Sequence, residues 1–304
     1  MAKDDRGSNR SAGEQERFVR SFDGVEIYVE SVGSGPPLVL CDGIGCDGYA
    51  WSRLIPAFKD RFQIIHLHHR GHGRSQPPPE PNALLFTDLG EDLLAVLDAF
   101  GIERPVLLAH SMGVQVILEF ALQHPDRVAG LVPMCGSFGR PLDTLHDSDF
   151  TGSMLPHILW LTRRIPRTFQ RLWTTLLDTE LAYNYGTYIE LRTWRLRYGD
   201  WRPFFTHLAT MDVPVFMRVL EQMSQHTTED RLHQLRVPTL VVAGAKDRFT
   251  PVRLSERMQQ LIPDAELLVV PGGTHCAPLE FPKLVHWRLD RFLRGREIEG
   301  GLAG

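Results

Sequence analysis

Short, unbroken apolar runs alternate with longer amphipathic stretches along most of this chain. An unbroken apolar run of strand length is typical of a strand that is buried on both faces. Six runs have this character: Leu38–Cys41, Ile64–Ile65, Val106–Ala109, Leu131–Val132, Thr239–Ala243 and Leu267–Val270. Ahead of them, Val19 and the stretch Val25–Val32 predict two short strands around Asp23 and Gly24, a pair that favours a hairpin turn.

Amphipathic helices are predicted between these runs. Over Leu85–Phe100, the residues Leu89, Leu93 and Leu97 recur at helical spacing, and Gly101 follows as a typical helix end. Three more helices are predicted over Val114–His124, Arg253–Ile262 and Leu284–Leu293. Because short buried strands that alternate with helices form parallel sheets, we expect an α/β fold, a mostly parallel and doubly wound sheet with helices on both faces.

The alternation stops between residues 138 and 230. This region has no convincing strand, and prolines and glycines divide it into helical stretches rich in aromatic residues. We therefore predict a helical cap over 138–230, inserted into one sheet domain that is formed by 16–137 and 231–295. Residues 1–15 are polar and 296–304 are glycine-rich, so we expect a disordered leader and tail.

Composition narrows the class of protein. The chain has 304 residues, 43% hydrophobic and 23% charged, which fits a soluble globular protein that needs no disulfide or metal to fold. Its formal net charge of −4 gives no electrostatic reason to expect nucleic acid or an anionic membrane as a partner. It has only four cysteines, and we find neither a signal peptide nor the ~18 apolar residues of a membrane span, so we expect a cytoplasmic protein.

Ser111 lies between a predicted buried strand and a predicted helix. A sharp strand-to-helix turn lifts a serine hydroxyl out of the sheet, and it needs small residues on both sides, here Ala109 and Gly113. The alternative is an ordinary serine that caps the helix. The context favours a nucleophile.

A serine hydroxyl becomes a good nucleophile only when a histidine, oriented by a carboxylate, removes its proton. His275 follows the last predicted strand, and Asp247 follows the strand before it. Because loops at the carboxyl ends of parallel strands converge on one crevice, both side chains can meet Ser111 there. The chain order of serine, acid and histidine is itself typical of one fold.

An oxyanion formed at this serine needs backbone N–H groups aimed at it. We nominate the N–H of Met112, directly after Ser111, and the N–H of Ile44, in the loop after the strand Leu38–Cys41. Gly43 and Gly45 flank Ile44 and allow a close approach of the backbone. Read without the serine, the same loop is an ordinary glycine-rich turn.

Together these motifs resemble the α/β-hydrolase family over roughly residues 17–295. The resemblance rests on the segments AHSMG, GAKD and GGTH, on RGHGRS at residues 70–75 and on HPDRVAGLV at 124–132. It implies Ser111 as nucleophile, His275 as base, Asp247 as acid and the helical cap as a lid that selects the substrate. Two positions depart from the pattern, where Asp42 replaces a histidine and His68 replaces an aspartate. We expect Asp42 to hydrogen-bond its own loop.

Further candidates lie around this expected site. We nominate Cys46, Trp160, Trp173 and Cys276 as pocket residues, because aromatic cap side chains favour an apolar acyl or ring-bearing substrate. The cap carries eight arginines over 157–202, which we interpret as a solvated helical face rather than as an anion site. Several histidines near residue 68 could bind a metal, but a strand end followed by a loop explains them better. We expect neither a metal nor a cofactor.

The predicted function is hydrolysis of a carboxylic ester or related acyl compound through an acyl-serine intermediate, with a small molecule as substrate. An acyltransferase, a thioesterase, a C–C hydrolase and a cofactor-free perhydrolase would use the same three residues. A haloalkane dehalogenase is disfavoured, because it needs a carboxylate where Ser111 stands. A non-enzymatic receptor built on the same fold is the alternative from another class.

Overall fold

The computed structural model describes residues 14–79, 84–141, 150–177, 179–187 and 195–295, and an eight-stranded sheet forms its centre. The sheet contains β1 (Gln15–Arg20), β2 (Glu26–Val32), β3 (Pro37–Cys41), β4 (Gln63–Leu67), β5 (Val106–His110), β6 (Gly130–Met134), β7 (Thr239–Gly244) and β8 (Ala265–Val270). Each predicted strand is present, and β1 begins at Gln15, which was expected to end a disordered leader.

The strands are arranged in the order β1-β2-β4-β3-β5-β6-β7-β8. The first two strands form the predicted hairpin, and β2 pairs antiparallel with β4, whereas all later neighbours are parallel. The mostly parallel α/β sheet predicted from the sequence is therefore confirmed. Strands β5, β6 and β7 are buried along their whole length, as their unbroken apolar runs indicate.

Helices cover both faces of the sheet and also fill the region between β6 and β7. They are α1 (Leu54–Phe58), α2 (Phe86–Ala99), α3 (Gly113–Gln123), α4 (Phe150–Arg164), α5 (Pro166–Leu177), α6 (Glu180–Asn184), α7 (Tyr198–Thr210), α8 (Val213–Gln225), α9 (Val252–Leu261), α10 (Ala277–Glu280) and α11 (Pro282–Gly295). The four helices predicted from amphipathic spacing are α2, α3, α9 and α11. In the described part of the chain, no helix is long and apolar enough to cross a membrane.

Alternation along the strands divides the core into two layers. Leu38 and Leu40 face the side covered by α1, α10 and α11, whereas Val39 and Cys41 face the side covered by α2, α3 and α9. Helices α4 to α8 come between β6 and β7, where the sequence predicts a helical insertion. The exact bounds of core and cap stay a prediction, and residues 296–304, expected as a tail, lie outside the described residues.

A buried ion network ties the first hairpin to the sheet. The guanidinium of Arg70 is fully buried after β4 and donates two hydrogen bonds to Asp92 of α2, at 2.6 and 2.7 Å. It donates a third, at 2.8 Å, to Asp23 in the turn between β1 and β2. Because an unpaired buried charge is costly, this arginine holds three separate segments in register.

We predict that Asp92→Ala lowers the free energy of unfolding by about 3–5 kcal/mol, because it leaves the buried Arg70 without its bidentate partner. The matched control is Asp98→Ala on the same helix, where the carboxylate is 61% exposed and lies 2.7 Å from Arg127. Loss of that surface pair costs less than about 1 kcal/mol. The free energies of unfolding of both variants are measured by urea denaturation. Equal decreases in the two variants would contradict the role given to Arg70.

Candidate active site

Ser111 lies at the turn between β5 and α3 in a backbone conformation that few residues adopt. Its φ is 54°, in the left-handed region, and its N–H donates to the carbonyl of Met134 on β6 at 3.1 Å. A side chain on Gly113 would come within 2.5 Å of the Cys41 carbonyl oxygen, and one on Gly136 within 2.6 Å of the Ser111 carbonyl oxygen. Only glycine therefore fits at position 113 of the turn and at position 136 of the neighbouring loop after β6.

Ser111, His275 and Asp247 form a continuous hydrogen-bonded chain. The Oγ of Ser111 lies 3.0 Å from Nε2 of His275, and Nδ1 of His275 lies 2.9 Å from Oδ2 of Asp247. Because a carboxylate only accepts hydrogen bonds, Nδ1 carries the ring proton and Nε2 is free to accept the proton of the serine hydroxyl. The structure thus brings together the three side chains predicted from the sequence, in an arrangement that can activate a hydroxyl.

Asp247 is held by its own loop. Its Oδ1 accepts hydrogen bonds from the N–H groups of Phe249 and Thr250, each at 2.9 Å, and its Oδ2 accepts one from the Thr250 hydroxyl at 2.8 Å. The side chain is fully buried, so these donors replace the water that would otherwise solvate its charge. Sequence reasoning missed Thr250, although its spacing of three residues after an aspartate is typical of such a turn.

His110 is a second residue that sequence reasoning missed. Its Nε2 donates to the backbone carbonyl of His275 at 2.8 Å, and its ring lies 5.0 Å from the His275 ring. Burial, followed by the nearby His275, lowers the pKa of His110 to about 4, so it is neutral at pH 7. His110 therefore joins the turn at Ser111 to the loop of His275 without adding a charge. Its position directly before Ser111 was the available signal.

Ile44 and Met112 lie beside the cavity that Ser111 lines. Both residues line the same cavity as Ser111, and a side chain on the neighbouring Gly43 would come within 3.0 Å of Cβ of Ser111. Within the described residues, neither of their N–H groups donates to an acceptor of the chain. Both groups are thus available to an oxygen that is bound beside Ser111.

The cavity above Ser111 has a volume of about 400 Å³ and a mostly apolar wall. The sheet domain and the inserted helices both contribute to it, including Ile44, Trp201, Phe204, Leu208, Phe216 and Met223. Besides Ser111 and His275, its polar side chains include His110, Gln115 and Thr250. No aspartate, glutamate, lysine or arginine among the described residues lines it. The cavity thus suits an uncharged, largely apolar group.

Of the four predicted pocket residues, only Cys46 lines this cavity. Cys276 is buried behind it, and burial raises the pKa of both thiols well above its usual value. Trp173 also lies behind the wall, where its indole N–H donates to the Leu208 carbonyl at 2.7 Å. Trp160 is 61% exposed at the surface. The predictions for Trp160, Trp173 and Cys276 are therefore wrong. For the two tryptophans, the sequence does not reveal which face of a cap helix points inward, and Cys276 packs into the core beside the His275 loop instead.

Asp42 has a different partner from the one expected. Its Oδ2 lies 2.7 Å from Nε2 of His66 on β4, so the prediction that it bonds its own loop is wrong. Glu30 of β2 lies 3.6 Å from Nδ1 of the same ring. Burial opposes charge on His66, but attraction to Asp42 and then Glu30 raises its pKa to about 10. Burial likewise opposes charge on Asp42, but the charge and hydrogen bond of His66 keep its pKa below the usual value.

Glu30, His66 and His68 offer metal-ligand atoms within 4.8 Å of one another. However, Nδ1 of His68 accepts a hydrogen bond from the N–H of Arg74 at 3.0 Å. Burial, and then the charge of His66, lowers the pKa of His68 to about 3, so the ring is neutral and its proton is on Nε2. Both nitrogens are thereby engaged or protonated, which fits a neutral histidine better than a metal ligand.

Comparisons with known proteins agree with the fold. A putative carbamate hydrolase, RutD, from Caulobacter sp. strain K31 is 28% identical to the chain over 281 residues, which cover 89% of the chain and 95% of the relative. The crystal structure of a hydrolase from Pseudomonas aeruginosa PA01 superposes with a TM-score of 0.75 at 25% identity, covering 93% of this chain and 99% of that one.

A second solved structure, Est816, is described as an N-acyl homoserine lactone degrading enzyme. It is 26% identical, with a TM-score of 0.71, and covers 91% of this chain and 100% of its own. The family model for the alpha/beta hydrolase fold matches residues 36–282, which include Ser111, Asp247 and His275. The resemblance inferred from the sequence motifs is therefore confirmed, and the chain belongs to the alpha/beta hydrolase fold family.

Proposed function

We propose that this protein hydrolyses an uncharged carboxylic ester or a related acyl compound through an acyl-serine intermediate. The observation that carries the proposal is the hydrogen-bonded chain from Ser111 through His275 to Asp247, which opens into a cavity that no acidic residue, lysine or arginine of the described part of the chain lines. The relative named as a putative carbamate hydrolase and the structure described as degrading N-acyl homoserine lactones support an acyl compound as substrate.

The first half of the reaction forms the acyl-enzyme. Oγ of Ser111 attacks the substrate carbonyl carbon while its proton passes to Nε2 of His275, and Asp247 stabilises the resulting imidazolium. The carbonyl oxygen becomes an oxyanion that accepts hydrogen bonds from the N–H groups of Ile44 and Met112. When the tetrahedral intermediate collapses, the bond to the leaving group breaks, and His275 returns the proton to that group.

The second half repeats these steps with water. His275 removes a proton from a water molecule, whose oxygen attacks the acyl carbon and again produces an oxyanion between Ile44 and Met112. The bond to Oγ of Ser111 then breaks, His275 returns the proton to Ser111, and the acid leaves. The neutral His110 keeps the His275 loop in place during both halves without competing for the proton.

Asp42 is proposed to position the loop that carries Ile44. Its side chain pairs with His66, and its carbonyl accepts a hydrogen bond from Nε2 of His69 at 3.2 Å. Both contacts anchor the backbone two residues before the Ile44 N–H. A loop fixed in this way holds its donor ready before the oxyanion forms, which is the condition for strong electrostatic stabilisation.

We predict that Ser111→Ala lowers turnover of p-nitrophenyl butyrate by a factor on the order of 10⁶, because removal of the nucleophile eliminates the acyl-enzyme. A fluorophosphonate probe should label the wild-type protein at Ser111, located by peptide mass, and should not label the variant. Circular dichroism serves as the control for folding. Undiminished turnover by a folded Ser111→Ala protein would contradict the mechanism.

We predict that the enzyme prefers an uncharged acyl chain to a charged one of similar size. The ratio kcat/KM for p-nitrophenyl butyrate should exceed that for mono-p-nitrophenyl succinate by about 100-fold or more, because the described residues that line the cavity include no lysine or arginine to pair with a carboxylate. Initial rates at several substrate concentrations give both values. Similar kcat/KM values for the two substrates would instead indicate an anion-binding group near the cavity.

We predict that the stabilisation by His66 depends on pH. Because the pKa of His66 is raised from 6.5 to about 10, its contribution is complete below pH 6.5 and is lost as the pH rises towards 10. The free energy of unfolding of the wild type should therefore converge on that of His66→Gln over this range. His286→Gln is the control, because burial lowers the pKa of His286 and no such loss is expected there. A difference that stays constant over this range would refute a charged His66.

A further inference from the structure

Helices α4 and α5 expose a group of large apolar side chains. Their inner sides pack on α8, and α5 also packs on α7. On the outer side, five large apolar side chains are exposed, which together we call the apolar patch: Trp160, Leu161, Ile165, Leu172 and Leu176. An exposed group of this kind is unusual for a protein surface that faces only water.

Four exposed arginines lie on the same two helices as the apolar patch. Arg163, Arg164, Arg167 and Arg171 are all exposed, and the guanidinium of Arg164 lies over the ring of Trp160 at 5.8 Å. On α5, Leu172 and Leu176 share one strip of the helix surface, and Arg167 and Arg171 share another. Tryptophan and leucine on one side with arginine beside them is the composition of helices that lie in a membrane interface.

The charge of this segment is strongly one-sided. Residues 150–177 contain these four arginines and no aspartate or glutamate, although the whole chain has a formal net charge of −4. Glu221 of α8 supplies one acidic contact, 3.1 Å from Arg163. The positive charge is therefore local, and a negatively charged surface would attract this face of the molecule while it repels the rest.

The end of α5 brings the apolar patch close to the cavity above Ser111. Leu177, the residue directly after Leu176 in α5, lines that cavity. Leu181, on the following helix, is 78% exposed, and Tyr185 is exposed and lines the cavity as well. A surface bound to the apolar patch would thus lie beside the cavity rather than on a remote part of the molecule.

We propose that the apolar patch and its arginines form a docking surface for an anionic lipid interface. The leucines and Trp160 enter the boundary between headgroups and acyl chains, and the arginines contact the phosphates and carboxylates of the headgroups. This surface spans no membrane and binds reversibly. If the hydrolysis proposed above is correct, apolar esters dissolved in the membrane reach the cavity from the docked side.

A second copy of the chain fits this surface less well than lipid does. A symmetric dimer brings the same patch of both subunits together, so the four arginines of one copy would face the four of the other. No acidic residue within 150–177 could compensate for that repulsion. Lipid headgroups supply the missing negative charge, and acyl chains accept the apolar side chains.

The test is flotation of the full-length protein with vesicles. We expect binding to vesicles of equal parts phosphatidylcholine and phosphatidylglycerol, little binding to phosphatidylcholine alone, and weakening of binding as salt is raised. Arg167→Gln combined with Arg171→Gln should lower the partition coefficient on the order of 25-fold, at about fivefold per arginine. Trp160→Ala should lower it severalfold.

Two matched controls change residues outside the apolar patch and its arginines. Trp287 on α11 is 57% exposed and has the guanidinium of Arg291 over its ring at 5.9 Å, so Trp287→Ala reproduces the chemistry of Trp160→Ala outside the patch. Arg20→Gln combined with Arg236→Gln removes two exposed arginines elsewhere. Neither control should change vesicle binding by more than about twofold.

Three results would overturn the proposal. The first is that the wild-type protein does not float with anionic vesicles at low salt. The second is that the control variants lose as much vesicle binding as the patch variants. The third is a dimer in sedimentation velocity that Trp160→Ala dissociates, since this would assign the surface to a second copy of the chain.

The outcome is separable from that of the proposed function. Ser111→Ala should still float with anionic vesicles, so binding is measurable even if the protein hydrolyses no ester. Conversely, Trp160→Ala should hydrolyse soluble p-nitrophenyl butyrate at the wild-type rate but lose activity on p-nitrophenyl laurate dissolved in anionic vesicles. If Trp160→Ala lost activity on the soluble and on the vesicle-bound substrate alike, Trp160 would support the cavity itself. This result would also count against a docking surface.

Discussion

The close approach of α3 to the end of β3 is the constraint on which the rest of the site depends. Gly113 lets the first turn of the helix pack against the carbonyl oxygen of Cys41, and Ser111, two residues earlier, has a left-handed conformation. The serine side chain consequently leaves the sheet at the point where the loops after β3, β7 and β8 meet. The packing of the sheet and of helix α3 around Ser111 compensates for the backbone strain at this residue.

Charge is distributed unevenly around this point. Behind the loop of Ile44, Asp42 and His66 form a buried pair that the half-exposed Glu30 joins from the surface, and His68 and His69 remain neutral beside it. In front of the serine, the described residues that line the cavity include no aspartate, glutamate, lysine or arginine. Fixed charges therefore support the backbone of the site, whereas the space for the substrate is left to apolar contacts and a few hydrogen bonds.

The sequence predicts much of this arrangement because the relevant signals are local. An apolar run identifies each strand, and the chain order of Ser111, Asp247 and His275 places the three side chains at one edge of the sheet. Long-range choices are not visible in the same way. The partner of Asp42 proved to be His66, on a neighbouring strand, and the outward direction of Trp160 depends on how a cap helix is rotated about its axis.

Averages over the whole chain conceal features of a single segment. The net charge of −4 gave no reason to expect an anionic surface as partner. In the rest of the chain, acidic residues outnumber basic ones, and this excess conceals the arginines of α4 and α5. The position of these arginines beside exposed leucines becomes clear only when the two helices are folded. The burial of individual side chains, rather than the composition of the chain, shows that α4 and α5 both pack on the other cap helices and expose apolar side chains on their outer sides.

The three side chains of the site come from loops that follow three different strands, and Ser111 and His275 are separated by 164 residues. Contacts at such sequence distance form late in folding, because the loop-closure entropy must be offset by the whole sheet. Edge strand β8 pairs with a single strand of the described sheet, β7, so its detachment would remove His275 while the centre of the sheet persists. Activity is therefore a more sensitive reporter of native topology than secondary structure content, and it would disappear first in a partly unfolded ensemble.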